Sequence, residues 1–163
     1  HPMAGREVSG VENSTPEMFI GANYIVTPTK KNTPEAIKAC IQLGKVLGFH
    51  RVRTLSVEEH DEMIAFVSQL THCIALSLMT CSDTEGLETF TGDSFRDLTR
   101  IANINEIMWT ELFLDNREAL LHEMNLFEKQ FNKLKTVLEQ GDAEEMKKIM
   151  RKSSERRRKF DKE

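Results

Sequence analysis

Several features that mark particular protein classes are scarce or absent in this chain. It holds only three cysteines, an odd number, and none has a CxxC or other metal-ligand spacing. That pattern is typical of reduced thiols inside a cell rather than of a disulfide-rich secreted domain. None of its five histidines lies in a HExxH motif or a comparable arrangement. The sequence therefore predicts no metal site.

Charge and hydropathy argue against two more classes. The formal net charge of -4 does not favour a general nucleic-acid binder. Residues 147–162 are locally basic, and we interpret them as a solvated helix end. No apolar run approaches the length of a membrane span, and the first residues do not resemble a signal peptide. The sequence predicts a soluble, cytoplasmic protein with no nucleic-acid or membrane partner.

The front of the chain carries the signals of a small β-α-β unit. Residues 1–23 contain several glycines and polar residues, so we expect a loop there. Strands are predicted at 24–26 and 51–55. Between them, Thr33 as N-cap and Pro34 at the first helical position predict a helix.

The remainder of the chain is predicted to be helical. Ser56 and Glu59 form an S-x-x-E capping box that opens a helix to about Cys81. Its apolar residues cover more than one stripe, which predicts burial on nearly all sides. A second long helix is expected from Asn105, and Asp142 caps a last one. These patterns predict a mainly α fold, a helical bundle preceded by a small β-α-β piece.

The second long helix carries an apolar seam. Its members recur at alternating spacings of four and three: Leu120, Met124, Phe127, Phe131, Leu134 and Leu138. Such a seam is coiled-coil-like and needs a partner, either another helix of the chain or a second copy of it.

Two arginines form a candidate anion site. Arg96 and Arg100 are spaced i,i+4, so on a helix both guanidinium groups would project from one face. Two planar cationic groups side by side suit a small substrate that carries carboxylates. The alternative is that Arg96 and its neighbour Asp97 only solvate an amphipathic helix.

Six short segments in a fixed order connect the chain to a known family. They are HPMAGREVSG (1–10), NYIVTPT (23–29), HD (60–61), SQLTH (68–72), FRDLTRIA (95–102) and MW (108–109). In this order and at these separations they resemble the prephenate/arogenate dehydrogenase family of tyrosine biosynthesis. The similarity extends from His1 to about Phe131, and the combination is much more specific than any single segment.

The resemblance implies a division of the chain. Residues 1–55 would be a catalytic loop and the end of the family's nucleotide-binding domain. Residues 56–163 would be the α-helical substrate-binding and dimerisation domain. The family's GxGxxG turn is absent from the sequence. We therefore expect a C-terminal portion of a homodimeric dehydrogenase that is inactive alone and holds no cofactor-binding residue.

The resemblance also implies roles for individual residues. His1 would be the base that accepts the proton of the substrate's ring hydroxyl. His72 would line the substrate pocket near the nicotinamide, whereas by default it would be a hydrogen-bonded core histidine. Arg100 would hold the substrate carboxylate, with Arg96 close enough to help. By default, His60 is expected to be a surface residue at a helix N-terminus.

Three further residues complete the implied site. Asp61 and Trp109 would reach toward the other subunit of the dimer, although Trp109 could equally be a core aromatic. Glu7 could pair with Arg100 and gate the site, although a solvated loop glutamate is the simpler interpretation.

The implied function is NAD-dependent oxidative decarboxylation of prephenate to 4-hydroxyphenylpyruvate. Arogenate as the substrate and NADP as the cofactor remain alternatives, because the sequence does not separate them. A third alternative is a catalytically silent helical dimerisation module. A pure scaffold would not need His1, His72 and Arg100 together.

Overall fold

The computed structural model describes residues 1–5 and 10–160 of the chain. The fold is mainly α with one small sheet, as the sequence predicts. The chain divides into two compact units, His1–Leu120 and Leu121–Glu163, and each is described by itself.

A three-stranded sheet begins the first unit. Strand β1 (Pro2–Met3) pairs antiparallel with β2 (Asn23–Val26), and β2 pairs parallel with β3 (Arg51–Thr54). His1 extends the first pairing, because its backbone nitrogen donates to the Ile25 carbonyl at 2.6 Å. The prediction of a loop over residues 1–23 is therefore wrong at its beginning. A two-residue strand has no period of its own, and only its partner twenty residues later defines it.

Helix α1 (Pro34–Val46) packs against the sheet through a small residue. The Thr33 side chain accepts a hydrogen bond from the Ala36 amide, so the predicted cap is confirmed. At Gly44 an added Cβ would lie 2.7 Å from the ring of Tyr24, too close for any side chain. Glycine at this position allows the helix to approach the strand closely.

One continuous helix runs from Val57 to Thr80 and consists of three parts. Helix α2 (Val57–Ile64) begins at the predicted Ser56 capping box, in which both reciprocal hydrogen bonds are present. A π-helical turn (Ala65–Gln69) follows, and then α3 (Leu70–Thr80). π-Helical turns are rare and are often found at functional sites.

The predicted burial of this helix on nearly all sides is wrong. Ala65 and Leu70 pack with Leu120 in the core of the first unit, but Phe66 is 54% exposed. The rest of the unit covers one side of the helix only. Its other apolar side chains need cover from outside this chain or remain in contact with water.

By length and composition alone, the Val57–Thr80 helix could also cross a membrane, with a mean hydropathy of 1.5 over its most apolar window. The expectation that no apolar run approaches the length of a membrane span is therefore wrong for this helix. The core helix of a soluble protein has the same properties, and this helix contributes core residues to its unit. A single helix of this kind is weak evidence for membrane insertion.

Shorter helices complete the first unit. Helix α4 (Asp93–Thr99) is followed by a 3-10 turn (Arg100–Ala102) and by α5 (Glu106–Asp115). Asn105 caps α5 through the Met108 amide, but the helix predicted from there is interrupted at Asn116. Helix α6 (Arg117–Gln140) continues after this break.

The second unit consists of the later part of α6 and of α7 (Ala143–Arg157). Gly141, with φ of 64°, separates the two helices, and the predicted Asp142 cap accepts from the Glu145 amide. Lys133 on α6 donates to Glu145 on α7 at 2.9 Å. This contact lowers the pKa of the Glu145 carboxyl below its ordinary value.

Candidate functional site

His1 lies at the edge of the sheet in contact with the first turn of α2. Its Nε2 atom is 2.8 Å from Nε2 of His60, and the two rings meet edge to face with centroids 5.0 Å apart. Nδ1 of His60 is in turn 2.8 Å from a carboxylate oxygen of Asp61. The prediction that a loop presents His1 is therefore wrong, since the residue continues a paired strand.

The same contacts correct the prediction for His60. It was expected to be a plain surface residue, but it is partly buried between His1 and Asp61. The motif HD at positions 60 and 61 was the available signal. The sequence did not indicate that His1 is the partner of His60, because the two residues are 59 positions apart.

His72 and Trp109 form a second cluster. Their ring centroids are 3.7 Å apart with the planes inclined by 30°, and the ring centroid of Phe113 is 5.3 Å from that of the indole. Nδ1 of His72 donates to the Ser68 carbonyl at 2.9 Å. In a neutral imidazole this bond fixes the tautomer and leaves Nε2 as an acceptor.

The two arginines of the predicted anion site have different environments. Arg96 lies on α4, and its guanidinium turns back to donate to the Thr91 carbonyl and to pair with Asp93 at 3.6 Å. Arg100 begins the 3-10 turn that packs against α3, the helix that carries His72. The prediction that one α-helix carries both guanidinium groups is wrong, since α4 ends at Thr99.

The two histidine clusters lie at different levels of one helix. His60 and His72 are twelve residues apart, which corresponds to about 18 Å along the axis. No single atom of a small molecule can contact both. A substrate that meets His1 at one end can meet the second cluster only if it extends along the helix.

A buried polar network joins the helices between these clusters. The Gln69 side chain, 3% exposed, donates to the Leu112 carbonyl at 2.8 Å and accepts from Nδ2 of Asn116 at 2.9 Å. Nδ2 of Asn116 also donates to the Asp61 carbonyl at 2.9 Å. The sequence did not predict this network, because its members are 43 to 55 residues apart.

Three of the predicted contacts stay predictions. Glu7 lies outside the described residues, so its pairing with Arg100 is untested. Asp61 and Trp109 have the partners within the chain that are given above, and their expected reach toward a second subunit remains open to experiment. Among the described residues, no group of three or more His, Cys, Asp or Glu side chains is arranged to hold a metal ion.

Comparison with known proteins identifies the family. The family model described as prephenate dehydrogenase, dimerization domain, matches residues 56–152. The chain belongs to the prephenate dehydrogenase family. A second family model, described as the nucleotide-binding domain of prephenate dehydrogenase, matches residues 1–52.

Individual relatives agree with this assignment. The chain is 34% identical over 151 residues to the prephenate dehydrogenase of Bacillus subtilis, an alignment that covers 90% of this chain and 40% of that protein. It is 29% identical over 150 residues to the cyclohexadienyl dehydrogenase of Zymomonas mobilis, covering 88% of this chain and 51% of the relative. The chain thus spans about half, or less, of the length of the curated relatives that it matches.

A solved structure resembles nearly the whole chain. It is the prephenate dehydrogenase from A. aeolicus in complex with hydroxyphenyl propionate and NAD+, with a TM-score of 0.88 and 34% identity. The similarity covers 99% of this chain and 58% of the A. aeolicus chain.

The turn that follows β2 in this prephenate dehydrogenase family member differs from the glycine-rich turn of dinucleotide-binding proteins. The turn between β2 and the start of α1 reads TPTKKNT and contains no glycine that would let the backbone approach a pyrophosphate. The expectation that this chain holds no cofactor-binding residue stays a prediction.

Proposed function

We propose that the chain is the C-terminal portion of a prephenate dehydrogenase that forms 4-hydroxyphenylpyruvate. The proposal is supported most by the likeness of 99% of the chain to a relative solved with hydroxyphenyl propionate and NAD+. Hydroxyphenyl propionate carries the ring hydroxyl and the side-chain carboxylate expected of the product.

The reaction asks three things of these residues. Prephenate is a cyclohexadienol with a ring carboxylate and a pyruvyl side chain. NAD+ supplies the hydride acceptor when it is bound. The chain must hold the carboxylates, align the ring, and accept the proton of the hydroxyl group as the ring becomes aromatic with loss of CO2.

His1 is the proposed base. Its backbone is held by pairing with β2, and its ring contacts His60, so its orientation is restrained before substrate arrives. An imidazole is suited to accept a proton at neutral pH.

The substrate carboxylate is proposed to bind at Arg100. Arg100 would bind a carboxylate through paired N–H donors, because its turn packs against the helix of His72. His72 would line the substrate pocket near the nicotinamide, with the Trp109 indole against its ring. Arg96 would contribute charge only, since its guanidinium is already used by Thr91 and Asp93.

The cofactor is proposed to be NAD, held by residues outside this chain. The division into residues 1–55, as the end of the nucleotide-binding domain, and residues 56–163, as the substrate-binding and dimerisation domain, is part of the same proposal. The 163-residue chain alone should show no turnover, and NADH production by it would contradict this part of the account.

A homodimer is proposed through the helical part. The description of the matching family model and the exposed seam of α6 both support it, since Phe131 and Leu138 are 58% and 65% exposed. We also propose that the protein is cytoplasmic, as expected of a soluble biosynthetic dehydrogenase. We propose no nucleic-acid or membrane partner for it.

Arogenate is the alternative substrate. The name of the relative from Zymomonas mobilis, cyclohexadienyl dehydrogenase, does not distinguish prephenate from arogenate. The test is cofactor reduction by the full-length protein with each pair of prephenate or arogenate and NAD+ or NADP+. We expect the fastest reduction with prephenate and NAD+. Faster turnover of arogenate would make it an arogenate dehydrogenase. Absence of reduction with every pair would favour a silent dimerisation module instead.

A further inference from the structure

His1, His60 and Asp61 form a row of close polar contacts. The number of these contacts that can be hydrogen bonds depends on how many protons the two imidazole rings carry. Nδ1 of His1 is 3.0 Å from the Pro2 carbonyl, and its Nε2 is 2.8 Å from Nε2 of His60. Nδ1 of His60 is 2.8 Å from Oδ1 of Asp61. Both outer partners are oxygens that can only accept, given an ionised Asp61.

Counting ring protons shows what the row needs. The Pro2 and Asp61 contacts each require an N–H on the histidine, and the contact between the two Nε2 atoms requires one N–H from either ring. Three protons are needed in all, whereas two neutral imidazoles carry two. In the neutral pair one contact is therefore left without a hydrogen. Uptake of one proton completes all three, and the Asp61 carboxylate balances the resulting charge.

We propose that His60 and Asp61 are positioning residues that make His1 the proton acceptor of the reaction. This inference rests on the proposed function. Asp61 holds His60 with Nδ1 protonated, so that Nε2 of His60 accepts from Nε2–H of His1. This leaves Nδ1 of His1 with a lone pair that faces the Pro2 carbonyl oxygen at 3.0 Å without a hydrogen between them. Because that contact is unfavourable, the substrate hydroxyl would displace it and donate to Nδ1.

The proton step balances with the groups already named. The O–H bond of the substrate breaks, an N–H bond forms at Nδ1 of His1, and the freed electron pair becomes the second C–O bond. NAD+, when bound, would supply the two-electron oxidation by accepting the hydride from the same carbon. The new N–H can then donate to the Pro2 carbonyl, and the positive charge is shared with His60 beside Asp61.

The surrounding structure holds the row in place. His1 is fixed by its backbone hydrogen bonds with Ile25, and His60 lies in the first turn of a helix with a complete capping box at Ser56. The carbonyl of Asp61 is bound by the side chain of Asn116. Anchoring from three elements favours a positioning role over an accidental surface contact.

The test is steady-state kinetics of the full-length protein with prephenate and NAD+. His60→Phe keeps a flat ring but cannot hydrogen-bond. Asp61→Asn keeps the size and an acceptor oxygen but removes the charge. We expect kcat to fall about 100-fold in His60→Phe and about tenfold in Asp61→Asn, with KM within about threefold of wild type in both. His60→Gln, which can accept from His1 but takes up no proton, should recover part of the loss. His50→Gln, at an exposed histidine, is the matched control and should leave kcat unchanged.

A double variant separates positioning from general damage to the fold. In a His1→Ala background, His60→Phe should lower kcat by no more than about twofold, because its effect passes through His1. A second large loss there, or wild-type kcat in both single variants, would overturn the inference. Circular dichroism shows whether His60→Phe is folded. If it is not, the near-isosteric variant Asp61→Asn is used for the test instead. A wild-type protein without activity on either substrate would remove the proposed function itself, and this inference with it.

Discussion

The imidazole of His72 lies against the indole of Trp109, with ring centroids 3.7 Å apart. Trp109 is the single tryptophan of the chain, so intrinsic tryptophan fluorescence of the chain reports on the surroundings of this indole, which include His72. His72→Ala should uncover one face of the indole. We expect its emission to move to longer wavelength and to become more sensitive to acrylamide quenching.

The matched control for this contact is His122→Ala, at an exposed position on α6. Its emission should equal that of the wild type. Unchanged emission in His72→Ala would show that the two rings are not in contact in solution.

Arg100 is predicted to be replaceable by neither lysine nor alanine. A carboxylate bound by two parallel N–H donors loses that geometry with a lysine ammonium. Hydrogen bonds to charged groups contribute about 1.5–3 kcal/mol, so KM for prephenate should rise by about 10- to 100-fold in Arg100→Lys and Arg100→Ala. Arg96→Ala should have a smaller effect, since Arg96 is already bound by Thr91 and Asp93.

Steady-state kinetics of the full-length protein measures this effect, and Arg151→Lys on α7 is the control for a change of cation type. Equal KM values in wild type and both Arg100 variants would exclude Arg100 from carboxylate binding.

Gln69 is predicted to stabilise the break between α5 and α6. The Leu112 carbonyl belongs to the last turn of α5, so it lacks a donor within its helix, and Gln69 supplies one. Gln69→Leu would leave this carbonyl and the Asn116 amide without that partner. A fully buried group left without its hydrogen bond costs about 1–3 kcal/mol. Because these two partners are only partly buried, we expect the free energy of unfolding to fall by about 1 kcal/mol.

Urea unfolding measures the loss. Gln42→Leu makes the same substitution at an exposed position on α1 and should change stability by less than about 0.5 kcal/mol. Equal destabilisation by the two variants would show that the network contributes nothing specific.

These results separate what the sequence predicts well from what it does not. Helix starts at Ser56, Thr33 and Asp142 were predicted correctly, because a cap depends on residues three positions away. The parallel strand pair was also predictable, because a strand, a helix and a second strand in succession are typical of a β-α-β unit with parallel strands.

The missed features depend on distant partners. Strand β1 has only two residues and so shows no pattern of its own, and the contact of His1 with His60 and the network of Gln69 join residues that are at least 43 positions apart. No local pattern encodes such pairs. For the same reason the family segments named most of the candidate site residues but not the hydrogen bonds among them.

If the exposed apolar seam of α6 is the dimer interface, a single charged substitution in it should weaken the dimer. If Phe131 is buried against a second copy, Phe131→Glu places a carboxylate in an apolar interface, which is costly. We expect the dimer dissociation constant of the full-length protein to rise at least tenfold, which corresponds to about 1.4 kcal/mol. Sedimentation equilibrium measures it.

Thr136→Glu adds the same charge at an exposed position on another face of α6 and should leave the dissociation constant unchanged. A monomeric wild type, or a Phe131→Glu variant that dimerises normally, would contradict the proposed interface.

The most direct test of the account is the effect of His1→Ala on turnover by the full-length protein. A base that accepts the hydroxyl proton contributes about 10²- to 10⁴-fold to the rate, so kcat with prephenate and NAD+ should fall by that factor. KM should change little, because the carboxylates are held elsewhere. A kcat within about threefold of the wild type would show that His1 is not the base and would contradict the central claim.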